Sequence, residues 1–309
     1  MFTIIPETHI DFMGRRRLFF AFSILVTLIG IASFILHGGF RMGIDFAGGR
    51  LIEYQFNQSV SIDELRRAAD SAGFPQAEIQ PAKGRNVAIF RISDVALAEQ
   101  RGGERTISEK LRGALQEARP GLEVELLREE SVGAKVGKEI RGQAFWAILL
   151  SLGLLLIYIA FRFDFRFGVG AVIAVFHDVV MTLTLFSLLD REITMPIVAA
   201  LLTLAGYSIN DTIVVYDRIR EQVVRLRREP YESVLNISMN QTLSRTLLTG
   251  LSSLFAAASL LFFGGEVIRD FALAMTFGIV VGTYSSIFIA SALVLEMRRA
   301  AEARAATAA

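Results

Sequence analysis

The chain has 309 residues, 53% of them hydrophobic and 10% aromatic, with a formal net charge of +1 and a mean hydropathy of +0.48. That is too apolar for an ordinary soluble domain, and the near-neutral balance argues against nucleic acid as a partner. With no cysteine, disulfides, thiolate catalysis and cysteine-ligated metals are excluded.

A helix needs about 20 apolar residues to cross a bilayer. Six stretches reach that length: residues 18–36, 144–161, 168–189, 193–216, 246–264 and 271–295. The first follows Arg15, Arg16 and Arg17, as a secretory leader would. Its apolar run is longer than a leader's core and no small-x-small cleavage site follows, so it reads as a retained anchor.

Between the first two spans lies a segment with alternating and helical patterns. Residues 50–56 alternate, with Ile52, Tyr54 and Phe56 on one face, as in a strand. "SIDELRRAADSAG" then carries Ser61 and Glu64 at capping-box spacing, and Gly73 as a stop. Residues 78–80 and 86–92 read as strands joined by "PAKGR", residues 104–118 as a helix ended by Pro120 and Gly121, and 122–127 as a last strand. The order β-α-β-β-α-β is the ferredoxin-like pattern, a fold that hosts many unrelated activities. The segment shows no metal cluster, nucleotide loop or catalytic triad, and reads as a packing or binding module.

Cytoplasmic loops collect Lys and Arg. With the N-terminus inside, the inner segments hold Arg15 to Arg17, Arg162, Arg166, the arginines of 218–228, Arg298, Arg299 and Arg304, and the two short outer loops hold only Arg191 and Arg269. The expected organisation is a cytoplasmic N-terminus at 1–17, transmembrane helix 1 at 18–36, an exported domain at 37–143, helices 2–6 within 144–296 with a cytoplasmic loop at 217–245, and a cytoplasmic tail at 297–309. The fold class is thus a polytopic α-helical membrane protein of six transmembrane helices, with one exported α+β ferredoxin-like domain between helices 1 and 2. The loop stretch "EPYESVLNISMNQTLSR" is partly amphipathic, and an expected place for it is along the inner membrane surface.

An ionisable group at the centre of a spanning helix costs about 2.5–3.5 kcal/mol on insertion scales. The third span carries His177 and Asp178 near mid-bilayer, the fourth Asn210 and Asp211 in its inner half, and the fifth begins with Arg245. Asp178 and Thr182 share a helix face, as do Tyr207, Ser208 and Asp211. Arg245, Thr249 and Ser252 form a polar edge on the fifth span. The fourth and fifth spans run in opposite directions with their charges toward the same side, a layout that allows Asp211 to meet Arg245. A guanidinium favours a carboxylate and low dielectric favours the protonated acid. Such opposed influences suit an acid that binds and releases a proton. Structural readings stand beside this one: Arg245 snorkelling to the interface, His177 hydrogen-bonded within the bundle, and Asp178 joining helices. Asp217, Arg218, Arg220 and Glu221 read as a solvated face. Gly278 and Gly282 form G-x-x-x-G on the sixth span, and the fifth span is rich in small residues, which imply close packing, internal or with a partner.

Several motifs together resemble one family. "GIDFAGG" (43–49), "FHDVVMT" (176–182), "GYSINDTIVVYDRIRE" (206–221), "QTLSRTL" (241–247), "FGG" (263–265) and "GTYSSIFIASAL" (282–293) are similar to those of the bacterial SecD/SecF family of protein-export membrane proteins, on its SecF side. The likeness covers almost the whole chain in order. It implies membership of the resistance-nodulation-division superfamily, a location in the bacterial cytoplasmic (inner) membrane with both termini cytoplasmic, pairing with SecD, association with the Sec translocon, and use of the proton gradient to help exported preproteins cross. It places the family's intramembrane acid on Asp211 and its basic partner on Arg245; depth and spacing make Asn210, Asp178, His177, Thr182 and Ser208 the accessory intramembrane polar groups. It implies no cofactor beyond H+ as coupling ion. Na+ remains an alternative, because a carboxylate beside hydroxyls and an amide suits either ion. Two departures stand out: Val132, Gly133 and Ala134 where the family's motif has Val-Gly-Pro, and Thr184 where some relatives have glycine. An enzyme is not expected, because no nucleophile, base and orienting group cluster at recognisable spacing. A proton-driven small-molecule exporter of the same superfamily and a non-transporting scaffold are the competing readings.

Overall fold

In the computed structural model the described residues are 8–81, 86–93 and 106–308. Most of the "PAKGR" connection and the expected helix start at 104 lie outside them, as do the first seven residues and the last. The chain forms two compact units, Met42–Phe145 and the remainder.

After α1 (Arg16–Leu36), the smaller unit opens with a single turn α2 (Ile44–Ala47), followed by β1 (Gly49–Phe56), α3 (Ile62–Ser71), β2 (Glu78–Pro81), β3 (Val87–Ile92), α4 (Ile107–Ala118) and β4 (Val124–Val132). The sheet order is β2-β3-β1-β4 with every neighbour antiparallel, which is the split arrangement expected from the sequence. Both helices start with complete capping boxes, Ser61 with Glu64 and Thr106 with Glu109. Ile52, Tyr54, Phe74, Phe90, Leu111 and Leu115 form the core, each contributing about 1.5–3 kcal/mol by leaving water. The Tyr54 hydroxyl is buried there and donates to the Ser108 carbonyl at 2.6 Å. The last strand runs longer than the expected 122–127, because Val124 to Val132 pairs along all of β1 through a bulge at Glu53/Tyr54. The glycine pair ending "GIDFAGG" is sterically required: Gly48 and Gly49 have φ of 79° and 129°, and a Cβ on Gly49 would lie 2.4 Å from the Ile92 carbonyl oxygen.

The larger unit is built from α1 (Arg16–Leu36), α5 (Ala134–Arg162), α6 (Phe165–Leu188), α7 (Met195–Arg225), α8 (Tyr231–Phe263) and α9 (Glu266–Ser285), the last continuing through a π-helical turn (Ser286–Ala290) into α10 (Ser291–Ala308). Among the described residues six helical segments are long and apolar enough to span a membrane. The observed helices outrun the apolar stretches because nothing in their flanks stops them. Backbone groups must be paired within a bilayer, so a helix carries its own hydrogen bonding through the core and into the polar flanks.

Burial sorts the helices. The sixth, fourth and third spans are 72%, 56% and 50% buried, against 11% and 17% for the second and first. The centre of the bundle is therefore α9, α7 and α6. The G-x-x-x-G of α9 explains its closeness to α7: Gly278 faces Leu204 and Gly282 faces Ser208. Thr184 also has a structural partner, Gly30 of α1, where a Cβ would sit 2.0 Å from the threonine hydroxyl. The departure from glycine on one helix is matched by a glycine on the other. The π turn leaves the Ala290 carbonyl free to accept from the Tyr216 hydroxyl at 3.2 Å, and Gly170 gives that ring room.

The stretch expected to lie along the membrane surface instead forms the first four turns of α8. Pro230 opens the helix and no breaker follows, while Val234, Leu235, Ser238 and Met239 are buried against the bundle. Its polar face clasps the N-terminal segment. The Asn236 side chain accepts from the Phe12 and Met13 amides at 3.0 Å, and Asn240 brackets Ile10 at 2.9 and 2.8 Å. Arg16 closes the same end with Glu296 at 2.6 Å and Glu232 at 3.4 Å.

Candidate functional site

Two acids lie within the apolar part of the bundle, and they are held differently. Asp178 on α6 is fully buried. Its Oδ2 accepts from the Ser208 hydroxyl of α7 at 2.5 Å and the Ser285 hydroxyl of α9 at 2.7 Å. Its Oδ1 is 3.0 Å from Nδ1 of His177. The other ring nitrogen, Nε2, is 3.0 Å from the Ser23 hydroxyl of α1. Ser23 is in turn 2.9 Å from the Tyr284 hydroxyl, which donates to the Phe19 carbonyl at 2.9 Å. The carboxylate thus joins three helices, its histidine adds α1 as a fourth, and each carboxylate oxygen has a partner.

Asp211 on α7 is also buried, at 3% exposure, but its Oδ2 has no hydrogen-bond partner among the described residues. The Thr249 hydroxyl and Arg245 guanidinium of α8 act on this carboxylate, yet the threonine hydrogen is directed at the Arg245 and Thr246 carbonyls. Asp211 and Arg245 form no ion pair within 4.0 Å. Arg245 is exposed on the surface of this chain. The two residues expected to meet therefore sit on packed neighbouring helices without closing on each other. Among the described residues two further buried hydroxyls lack hydrogen-bond partners, Tyr207 on α7 and Thr246 on α8. Gly250 opens space beside Tyr207. A Cβ there would be 3.1 Å from the Thr283 hydroxyl and 3.5 Å from that of Tyr207.

Asn210 points outward, and among the described residues its side chain has no hydrogen bond. It belongs to an exposed stripe with Thr203 and Gly206 on α7. Beside it, α8 exposes Arg245, Thr249, Ser252, Ala256 and Ser259, one residue per helical turn. Lipid is a poor neighbour for such a polar, small-residue seam.

Thr182 does share the Asp178 face, but it donates to that residue's backbone carbonyl at 2.8 Å, not to its carboxylate. Ser208 does bond the carboxylate, and it sits one turn before Asp211 on α7. Sequence reading missed Ser285, Tyr284 and Ser23. For Tyr284 and Ser285 the signal was the "GTYSS" stretch at the end of the closely packed α9; Ser23 on α1 had none. Among the described residues no group of three or more His, Asp or Glu is placed to hold a metal ion.

The chain matches the family model for the C-terminal region of protein export membrane protein SecD/SecF over residues 112–300, and that for the SecD/SecF GG motif over residues 33–60. It is 42% identical over 299 residues to protein translocase subunit SecF of Thermodesulfovibrio yellowstonii, covering 96% of this chain and 97% of that one. It is 41% identical over 305 residues to protein translocase subunit SecDF of Thermus thermophilus, covering 97% of this chain but 40% of the relative. The crystal structure of the Thermus SecDF, described as a translocon-associated membrane protein, superposes with a TM-score of 0.83 at 40% identity, again over 97% of this chain and 40% of that one.

Proposed function

The chain belongs to the SecD/SecF family of protein-export membrane proteins, and from that premise we propose that it is a proton-coupled subunit of the Sec machinery, pairing with SecD and drawing on the proton gradient to move preproteins across the bacterial cytoplasmic membrane. The membrane role follows from its six spans and the export role from its SecF and SecDF relatives. Proton coupling is the part that needs argument.

The observation that carries it is Asp211. A buried polar atom without a partner is rare and costs about 1–3 kcal/mol. Within a membrane, an ionisable group held at that cost marks an ion or proton path. The partnerless Asp211 oxygen and the neighbouring Tyr207 hydroxyl of α7 border the space left by Gly250 of α8, with the Thr283 hydroxyl of α9 on its far side. A proton on Asp211 removes the cost of holding a bare carboxylate at this buried position. Losing it restores a charge on which Arg245 acts. A small shift of α8 then brings the guanidinium into an ion pair, which links proton binding to helix position. One elementary charge crossing 100 mV yields about 2.3 kcal/mol, enough to bias such a shift.

SecD fits the remaining surface. In relatives where the two halves are one chain, the part matched here is 40% of the whole. The Asn210 and Arg245 seams are the polar surfaces a second half would cover. The arginine distribution puts both termini in the cytoplasm and the smaller unit on the far side, where emerging preprotein is met.

The test is Asp211→Asn in the membrane-inserted, SecD-bound complex. Gradient-dependent export is expected to vanish while the complex still assembles. Collapsing the proton gradient should mimic the variant, and collapsing a sodium gradient should not. Unchanged gradient-dependent export in the variant refutes proton coupling at this residue.

A further inference from the structure

We infer that His177 and Asp178 form a second proton-binding site, one that holds a proton in this conformation and is wired to the helix carrying Asp211; its meaning for export rests on the reading above, but the site itself is argued independently.

Counting hydrogens leads there. A backbone carbonyl only accepts, so the Tyr284 hydroxyl spends its single hydrogen on Phe19 at 2.9 Å. In the 2.9 Å contact between Tyr284 and Ser23, the serine must then be the donor. Ser23 has no hydrogen left, so in its 3.0 Å contact with His177 it accepts, and Nε2 carries a hydrogen. On the other side of the ring, Nδ1 and Oδ1 of Asp178 stand 3.0 Å apart. Two lone pairs do not approach so closely, so a hydrogen lies between them. Oδ2 cannot be its source of relief, because it already accepts from Ser208 at 2.5 Å and from Ser285 at 2.7 Å, a contact much shorter than the 3.2 Å from the Ser285 hydroxyl to the Gly282 carbonyl. The pair therefore contains one more proton than a carboxylate plus a neutral imidazole. Whether that proton rests on Nδ1 or Oδ1, the net charge of the pair is zero.

Electrostatics requires the same. A lone carboxylate at full burial in a spanning bundle is costly, and a neutral pair is tolerated. Other ionisable groups facing the pair offer no compensating cation. α1 has none between Arg17 and His37, and α7 brings Tyr207 and Asp211 on the turn of Ser208. α9 brings Tyr284. The π turn has none, and the first charge of α10, Glu296, is paired with Arg16.

Release of the proton has a directional consequence. The remaining imidazole hydrogen is drawn to Nδ1 to meet the bare carboxylate, leaving Nε2 an acceptor. Ser23 must then donate to His177, and Tyr284 to Ser23, so the chain from α6 to α1 reverses and the Phe19 contact is given up. The Ser208 and Ser285 bonds persist. The site thus loosens α1 and keeps its hold on α7, next to Asp211.

The experiment places the hydrogen. The chain has three histidines. His9→Gln with His37→Gln, both outside the network, leaves His177 alone, and nitrogen-15 NMR of the SecD-bound complex in lipid reads its two nitrogens. Hydrogen on Nε2, with or without a second on Nδ1, is the expected result. Hydrogen on Nδ1 with a bare Nε2 overturns the assignment. Should the double variant not assemble, subtracting the His177→Gln spectrum from the three-histidine spectrum gives the same reading. Failure here and failure of the functional reading are separable. A protonated Nε2 with unchanged export in Asp211→Asn sinks only the latter, and a bare Nε2 with lost export in Asp211→Asn sinks only the former.

Discussion

Asp178 and Asp211 are two carboxylates of the same bundle, linked by one turn of α7, and their surroundings are opposite. Around Asp178, every polar atom described has a partner: two serines on one oxygen, a histidine on the other, and an onward chain to α1. Around Asp211, its own Oδ2 and the Tyr207 hydroxyl have none among the described residues, and Arg245 stays exposed beyond ion-pair distance. A satisfied buried network fixes one arrangement of helices, whereas an unsatisfied one is stable only if another state completes it. The contrast separates a hub that holds the bundle from a group poised to change.

The largest expected effect splits stability from activity along this line. Asp178→Ala strands three donors on α6, α7 and α9. At about 0.6 kcal/mol for a typical interhelical hydrogen bond in a membrane, the two serine bonds alone account for about 1 kcal/mol, rising with the penalty for buried unsatisfied donors. Asp211→Ala removes a carboxylate with one partnerless oxygen, on which only the Thr249 hydroxyl and the Arg245 guanidinium act, so its stability cost is the smaller of the two. Unfolding of the two variants by SDS in mixed micelles measures both. Export should show the reverse ranking for the conservative pair, with Asp211→Asn losing gradient dependence entirely. Equal destabilisation at the two positions would erase the distinction drawn between them.

A smaller effect sharpens the link between the two sites. Gly278 and Gly282 set the distance between α9 and α7. An alanine Cβ at Gly278 lies 2.3 Å from the end of the buried Leu204 side chain, which must rotate in a packed seam at a cost of about 1–2 kcal/mol. At Gly282 the nearest atom is the Ser208 Cβ at 3.3 Å, a contact relieved by a few tenths of an ångström. That small displacement moves Ser208 off Asp178. Gly282→Ala should therefore cost less in a Ser208→Ala background than in the wild type, as a double-mutant cycle in the same unfolding assay would reveal. Strict additivity would mean that the glycine spacing does not serve the Asp178 bond.

Much of this was legible before any coordinates. The six spans follow from apolar length, and the sheet order of the smaller unit follows from the β-α-β-β-α-β pattern. Asp211 was visible because a carboxylate is conspicuous in an apolar helix. What stayed hidden depends on helix rotation and register. Asp211 and Arg245 share a membrane depth, but depth does not fix which face of α8 points inward, and the arginine turns out exposed. Ser285 lies 107 residues from Asp178 and Ser23 lies 154 residues from His177, so no local spacing announces either contact. Serines are also common in packed membrane helices. The first turns of α8 were misplaced on the membrane surface for a related reason. Their amphipathic pattern fits a lipid interface or a protein neighbour equally well, and here the neighbours are the bundle and the N-terminal segment.

That segment supplies a third acid to complete the comparison, satisfied like Asp178 but exposed to solvent. Asp11 accepts from the Gly14 amide at 2.9 Å and from the Asn236 side chain at 2.8 Å. These bonds, the Gly14 amide foremost, hold its carboxyl below the ordinary value of 3.8. A depressed folded value means that the ionised form is the one favoured by folding. The stabilisation is complete above the ordinary value and fades as acid carries the pH down through the folded one. Because water competes at this exposed site, the effect is the smallest of the set. It is best read locally, through hydrogen exchange at Phe12 and Met13, whose amides are held by Asn236. Protection of those amides, relative to the chain average, should weaken on acidification below about pH 4 in the wild type and be uniformly weak in Asn236→Ala. Asp11→Ala should lose the pH dependence and keep part of the protection. Protection that ignores both acid and the Asp11 side chain would leave the asparagine alone responsible for the clasp.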